Sequence, residues 1–260
     1  MDRKNIPDPG FAGDDGRADP ALAQALAGWA AQREPAAETA LLAALPAARL
    51  MVPIVALLGE VETDAAREAK WGSARPKAGG LKHEKTSDMA VPVIEAADGR
   101  RALPAFTSLE SLARWRADAR PAPVAAPQAV LAAYAERADA LLIDPAGPVT
   151  YELTGARMRA VAEGRAWLPP VRDPQVLEAL SALLAAEPEV LRAELRPGTE
   201  TDAVLALGAA ADAAVPALAQ RLAGALAADP VLRVRLGRGL DLALLPAGTE
   251  PAGTLFYQKR

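Results

Sequence analysis

The chain has no cysteine and only one histidine, His83, among 260 residues. Without thiols there are no disulfides, thiolate metal sites, thiol nucleophiles or iron–sulfur ligation. With one imidazole, a zinc site built on several histidines is excluded, and a Ser-His-Asp relay would have to use His83 itself. Carboxylate sites for magnesium or calcium stay open on these counts. No long apolar run is present: the longest, Leu50–Leu58, falls far short of the ~20 residues that span a bilayer. The start of the chain has no apolar signal core, so the sequence reads as a cytoplasmic protein with no membrane partner. Basic charge is not in excess, with 29 Lys and Arg against 33 Asp and Glu, which argues against nucleic acid as a partner.

What is present is alanine, far above ordinary usage, and leucine at helical spacing. The length suits two ordinary domains. Residues 1–18 read as a mobile arm. Asp19-Pro20 starts a helix, with Asp as N-cap, Pro in the first turn, and Leu22, Leu26 and Trp29 on one face. A second helix starts at Pro35. Arg49–Leu58 reads as a buried strand in which Pro53 signals a bulge or an unpaired edge. Residues 60–88 read as a long charged loop. Ala90–Ile94 and Arg101–Phe106 read as a hairpin around Asp98-Gly99, and Pro104 demands a bulge or a longer turn. Thr107 and Glu110 are spaced as a capping box for a helix that buries Leu109, Leu112 and Ala113 and leaves Trp115 off that stripe. Arg120-Pro-Ala-Pro stops this helix. The next carries Val130, Leu131 and Tyr134 on one side. Strands at Ala140–Ile143 and Val149–Leu153 precede a helix that Gly164 ends as a left-handed cap.

Residues 166–173, with Pro169-Pro170, read as a linker between a domain at 19–165 and another at 174–260. The second begins with a helix after Asp173-Pro174. Strands follow at about 189–196 and 203–208, then a helix at about 213–227. Val231–Leu236 and Leu240–Leu245 read as a hairpin, and Leu255–Tyr257 closes the sheet. The fold class is α+β: two mixed α/β domains, each a small sheet of hairpins packed against helices.

Glu84-Lys-Thr-Ser-Asp-Met-Ala90, Asp98-Gly-Arg-Arg-Ala-Leu-Pro-Ala-Phe-Thr-Ser108, Ala119-Arg-Pro121 and Leu142-Ile-Asp-Pro145 resemble the SseB family, named for enhanced serine sensitivity. The resemblance covers roughly residues 37–165, the family's N-terminal domain. The second half is similar in layout to the family's C-terminal domain. The charged loop and Ala-rich helices resemble actinobacterial members. The resemblance implies an architecture but carries no catalytic motif, and its link to serine or sulfur metabolism rests on the name.

Each candidate site residue has a structural reading beside its functional one. His83 reads as a solvated loop residue. Glu84, Lys85 and Asp88 read as the rim of a groove or as ion pairs holding the loop. Phe106, Thr107 and Ser108 end a strand and open a helix; the hydroxyls there hold an anion or cap the helix. Trp115 is an exposed anchor for a partner or a cover for the core edge. Arg120 joins Arg100 and Arg101 in recognising carboxylate or phosphate, or lies on a solvated surface. Asp98-Gly99 and Asp144-Pro145 are turn chemistry. The sequence therefore reads as a non-catalytic regulatory protein that binds another protein, with no metal and no cofactor. The alternative is a small-molecule sensor or enzyme using Lys, Asp, Ser, Thr and Arg groups at the hairpin end of the first domain.

Overall fold

The computed structural model describes residues 11, 13–58, 87–246 and 252–259. The chain opens with helices α1 (Pro20–Ala31) and α2 (Pro35–Ala44) and strand β1 (Arg49–Leu58). Strands β2 (Ser87–Ala90), β3 (Ile94–Glu95) and β4 (Arg101–Ala105) follow. Then come α3 (Leu109–Trp115), β5 (Arg120–Ala125), α4 (Ala126–Ala135), β6 (Ala140–Ile143), β7 (Tyr151–Thr154) and α5 (Gly155–Ala162). The remainder holds α6 (Pro174–Ala185), β8 (Val190–Pro197), β9 (Ala203–Ala209), α7 (Val215–Ala228), α8 (Pro230–Arg235), β10 (Leu240–Leu244) and β11 (Thr254–Gln258). This is an α+β fold with small sheets set against helices.

The strands form sheets of order β2-β1-β5, β3-β4-β6-β7 and β10-β9-β8-β11. Prolines explain why the first two stay separate. Met51 and Phe106 exchange backbone bonds at 2.7 and 2.9 Å, joining β1 to the end of β4. The next step of that antiparallel ladder would set Pro53 opposite Pro104, and neither has an N–H to give. The contact stops at one bridge. Along the same edge of β1, pairing resumes with β2 at Val55↔Ala90, so Pro53 occupies the unpaired gap between two partners. On its other edge β1 takes β5, with Pro53 opposite Pro121. Because Met51 directs its backbone groups at Phe106, its neighbours two residues away also point from β5, and Pro121 and Pro123 leave no bond unmade.

Several elements differ from the sequence reading. Arg120-Pro-Ala-Pro begins strand β5 rather than a stop. Ala90–Ile94 is two short strands on different sheets, divided at Pro92, and only Ile94–Glu95 pairs with β4. The turn between β3 and β4 is long, closed by Ala96 N–H to Arg100 O at 2.8 Å. Val231–Leu236 is not a strand: Asp229 accepts the amides of Val231 and Leu232 at 2.9 Å and starts α8 with Pro230 in its first turn. β10 then runs parallel to β9, and β6 parallel to β4, so parallel contacts join the hairpins β3-β4, β6-β7 and β8-β9 into mixed sheets. In α4, Ala129, Val130 and Ala133 are buried while Leu131 and Tyr134 are exposed. The loop read over 60–88 lies outside the described residues as far as 86, and its last residues, Ser87 and Asp88, belong to β2.

Buried apolar residues form two main groups. One draws on α1, α2, β1, β4, α4, β6, β7 and α5, with Trp167 against it. The other draws on α6, β8, β9, α7 and α8, with Val171 and Tyr257 at its margin. The halves touch where α5 meets α8: a Cβ on Gly237 would lie 3.1 Å from the amide nitrogen of Ala156. In the second half Glu194 is fully buried on β8. It accepts Arg196 at 3.1 Å and the amides of Ala252 and Gly253 at 3.1 and 3.0 Å, which pins the chain as it enters β11.

Candidate functional site

The end of β4 runs into α3 through Phe106, Thr107 and Ser108. Phe106 is fully buried and stacks at 5.3 Å on Trp115, with Met51 and Leu112 completing a small cluster. Trp115 therefore covers this core edge rather than standing out as an anchor. The capping box is shifted by one residue from the Thr107–Glu110 spacing. Ser108 is the N-cap and accepts the Ser111 amide at 3.1 Å, while Ser111 Oγ accepts the Ser108 amide at 3.3 Å. The shift turns the helix as well, leaving Leu109 and Ala113 exposed and burying Ser111 and Leu112.

Thr107 is thereby released to another partner. Its amide and its hydroxyl donate to the two carboxylate oxygens of Asp144 at 2.9 and 2.6 Å. Both residues are buried. Asp144 follows β6, whose parallel register with β4 carries it to the end of that strand, and its own amide donates to Ala105 O at 2.9 Å. Its φ of +50° lies in the left-handed region, which a short polar side chain tolerates better than most. Asp144-Pro145 is thus both the expected turn and an unexpected buried acceptor.

Arg49, which the sequence reading did not single out, holds the same junction from below. Its guanidinium donates to Asp14 at 2.6 Å, to the Thr107 carbonyl at 2.8 Å, and to the Arg17 carbonyl. Gly16 O accepts the Leu109 amide at 2.8 Å. Residues 13–18, read with the arm, are bonded in this way across the start of α3. Between α1 and α3 lies a cavity of about 320 Å³ that Thr107, Ser108, Glu110, Ser111, Arg114 and Asp144 line on the polar side.

The other predicted residues are not brought to this cavity. The register of β1 sets Arg120 beside Ile54 and Asp88 beside Leu57. At about 3.4 Å per residue these lie roughly 10 and 20 Å further along β1 than Met51, which meets Phe106. Arg120 is exposed. His83, Glu84 and Lys85 lie outside the described residues.

A second concavity, of about 510 Å³, opens on the outer face of β3-β4-β6-β7. Strand register lays Ile94, Ala102, Ala140 and Thr154 in one row across the four strands. The small central residues make a floor, and charged groups make the rim. Arg100 donates to Asp98 at 2.7 Å and to Glu152 at 3.0 Å. The hydrogen bond from Arg100 holds the Asp98 carboxyl below its usual range. The guanidinium of Arg101 has no carboxylate partner among the described residues, although its amide donates to Asp139 at 2.9 Å.

Elsewhere in the same half, Glu38 accepts Tyr151 Oη at 3.0 Å and Arg157 at 3.1 Å, tying α2 to β7 and α5. Burial, and next the Glu38 charge, push the Tyr151 phenol far above its ordinary value. Arg157 also lies 4.9 Å over the Trp167 ring. Among the described residues no group of three or more Asp, Glu or His side chains converges as a metal would require, and no helix is long and apolar enough to cross a membrane.

No curated protein and no solved structure matches the chain. The family model described as the SseB protein N-terminal domain matches residues 22–160, just over half of the chain, from α1 into the last turns of α5. On that match the chain belongs to the SseB family.

Proposed function

We propose that this protein is a non-catalytic binding protein that regulates by contacting another protein through the outer face of β3-β4-β6-β7. The observation that carries the reading is the groove itself: a floor of Ala102 and Ala140 between rims of both charges. Arg100 is held ready by Asp98 and Glu152, and Arg101 has a free guanidinium among the described residues. An arginine without a carboxylate partner among the described residues, beside small apolar residues, suits a polypeptide segment bearing carboxylates. The uses of the hydroxyls support the same reading. Thr107 donates to Asp144, and Ser108 and Ser111 cap α3, so these groups serve the fold. A cytoplasmic partner fits this reading, and the family's name points to serine or sulfur metabolism as the place to look.

The test is affinity capture with the wild-type chain and with an Arg100→Glu, Arg101→Glu variant. A partner bound by the first and lost by the second, with unchanged melting temperature, is the expected result. A partner retained by the variant, or none enriched even at low salt, refutes the reading. A second reading, a small-molecule sensor, is favoured by the cavity of about 320 Å³ between α1 and α3. It predicts metabolite-dependent thermal shifts that Ser111→Ala weakens.

A further inference from the structure

Where α4, α5 and α8 converge, the two halves enclose a cleft of about 390 Å³. Arg159 of α5 and Arg233 of α8 line it together with Tyr134, Met158, Val234 and Leu236. Arginines elsewhere in this chain are mostly engaged: Arg157, Arg165, Arg196, Arg221, Arg235 and Arg238 each meet a carboxylate. Arg159 and Arg233 do not, among the described residues, and the reason lies in their helices. Glu163, four residues after Arg159, pairs instead with Arg165 at 2.5 Å. Asp229, four residues before Arg233, is spent capping α8 on the amides of Val231 and Leu232. The one carboxylate on the described wall is Asp139, which accepts the Arg101 amide. Two arginines thus line one cleft against a single, already bonded, carboxylate.

We propose that this cleft is a binding site for a small organic dianion, held by Arg159 from one half and Arg233 from the other. Guanidinium pairs match the geometry of phosphate and carboxylate oxygens. The volume lies in the range of small-molecule sites and exceeds what a bare phosphate fills. Met158, Val234 and Leu236 supply apolar wall for the rest of the molecule. Since Arg159 belongs to the family-matched segment and Arg233 lies beyond it, the ligand ties the second half to the first. This site is separate from the sheet face proposed above and does not depend on it.

The test is calorimetric titration of the full chain with phenyl phosphate, succinate and inorganic phosphate. Saturable binding of a dianion is expected, weakened at least tenfold by Arg159→Gln and by Arg233→Gln and unchanged by Arg172→Gln. A preference for phenyl phosphate or for succinate assigns the anion as a phosphate monoester or a dicarboxylate. Both arginines are exposed, so the variants should melt with the wild type. Should one melt early, Arg159→Lys, which keeps the charge and loses the fork, takes its place and is expected to bind more weakly. Absence of saturable binding for every probe, or binding that survives the double Gln variant, overturns the proposal.

Discussion

Replacing Asp144 with alanine tests the junction between β4, α3 and β6 most directly. The carboxylate satisfies two buried donors, the amide and the hydroxyl of Thr107, at 2.9 and 2.6 Å. Leaving a buried donor without an acceptor costs about 1–3 kcal/mol. Alanine at a φ of +50° adds about 1 kcal/mol, since the left-handed region disfavours a Cβ with no compensating side-chain bond. The expected loss is therefore about 3–7 kcal/mol, a large share of the ~5–15 kcal/mol that holds a domain folded. Asp144→Asn keeps one acceptor and the conformation, and should lose only about 1 kcal/mol, the difference between a charged and a neutral bond. The assay is urea unfolding followed by tryptophan fluorescence. All four tryptophans precede residue 168, so the signal reports the first half alone. With a slope of about 2 kcal/mol per molar urea, Asp144→Ala moves the midpoint down by roughly 1.5–3.5 M. Combining Thr107→Val with Asp144→Ala should cost less than the sum of the two, because the valine removes one of the orphaned donors. A midpoint shift below about 0.5 M for Asp144→Ala, or strict additivity with Thr107→Val, would show that this pair does not hold the junction.

Two further outcomes follow from buried charges. Arg49→Met removes the partner of Asp14 and should destabilise by about 3–5 kcal/mol, as breaking a buried pair does. Hydrogen exchange should then rise at Arg17 and Leu109, whose links run through this clasp, and wild-type rates there would refute the assignment. Glu194 gives a pH signature. Burial works against its charge, but the Arg196 hydrogen bond and then the amides of Gly253 and Ala252 outweigh it, so the folded carboxyl titrates below its ordinary 4.5. Its contribution is complete above pH 4.5 and is lost as pH falls through the lowered folded value. Thermal melts of the wild type should fall more steeply below pH 4.5 than those of Glu194→Gln, and parallel curves would contradict this.

Local chemistry was read directly where one residue type has one physical solution. Asp19-Pro20 and Asp173-Pro174 cap and start α1 and α6 because a carboxylate and a fixed φ do so in any surroundings. Gly164 ends α5 at a φ of +64° for the same kind of reason. Asp229-Pro230 carries the same signal, yet Val231–Leu236 reads as a strand because its β-branched residues mimic strand composition over so short a stretch. The placement of Thr107 shows the limit more sharply. Thr107 and Ser108 are equally good caps by type. What separates them is Asp144, 37 residues away, which the parallel pairing of β6 with β4 delivers to Thr107 and so leaves Ser108 to cap the helix.

The amino-acid order alone determined the starts of α1 and α6, the buried run of β1, a turn at Asp98-Gly99 and the family to which residues 22–160 belong, because each depends on neighbours in the chain. Tertiary structure decided the rest. Pro53 and Pro104, which the ladder would set opposite each other, keep two sheets apart beyond Met51 and Phe106. The extended run of β1 separates Arg120 and Asp88 from Thr107, although the sensor or enzyme reading of the sequence set them in one pocket at the hairpin end of the first domain. The cleft of Arg159 and Arg233 exists only because α5 and α8, more than 70 residues apart in the chain, meet with their own carboxylates already engaged.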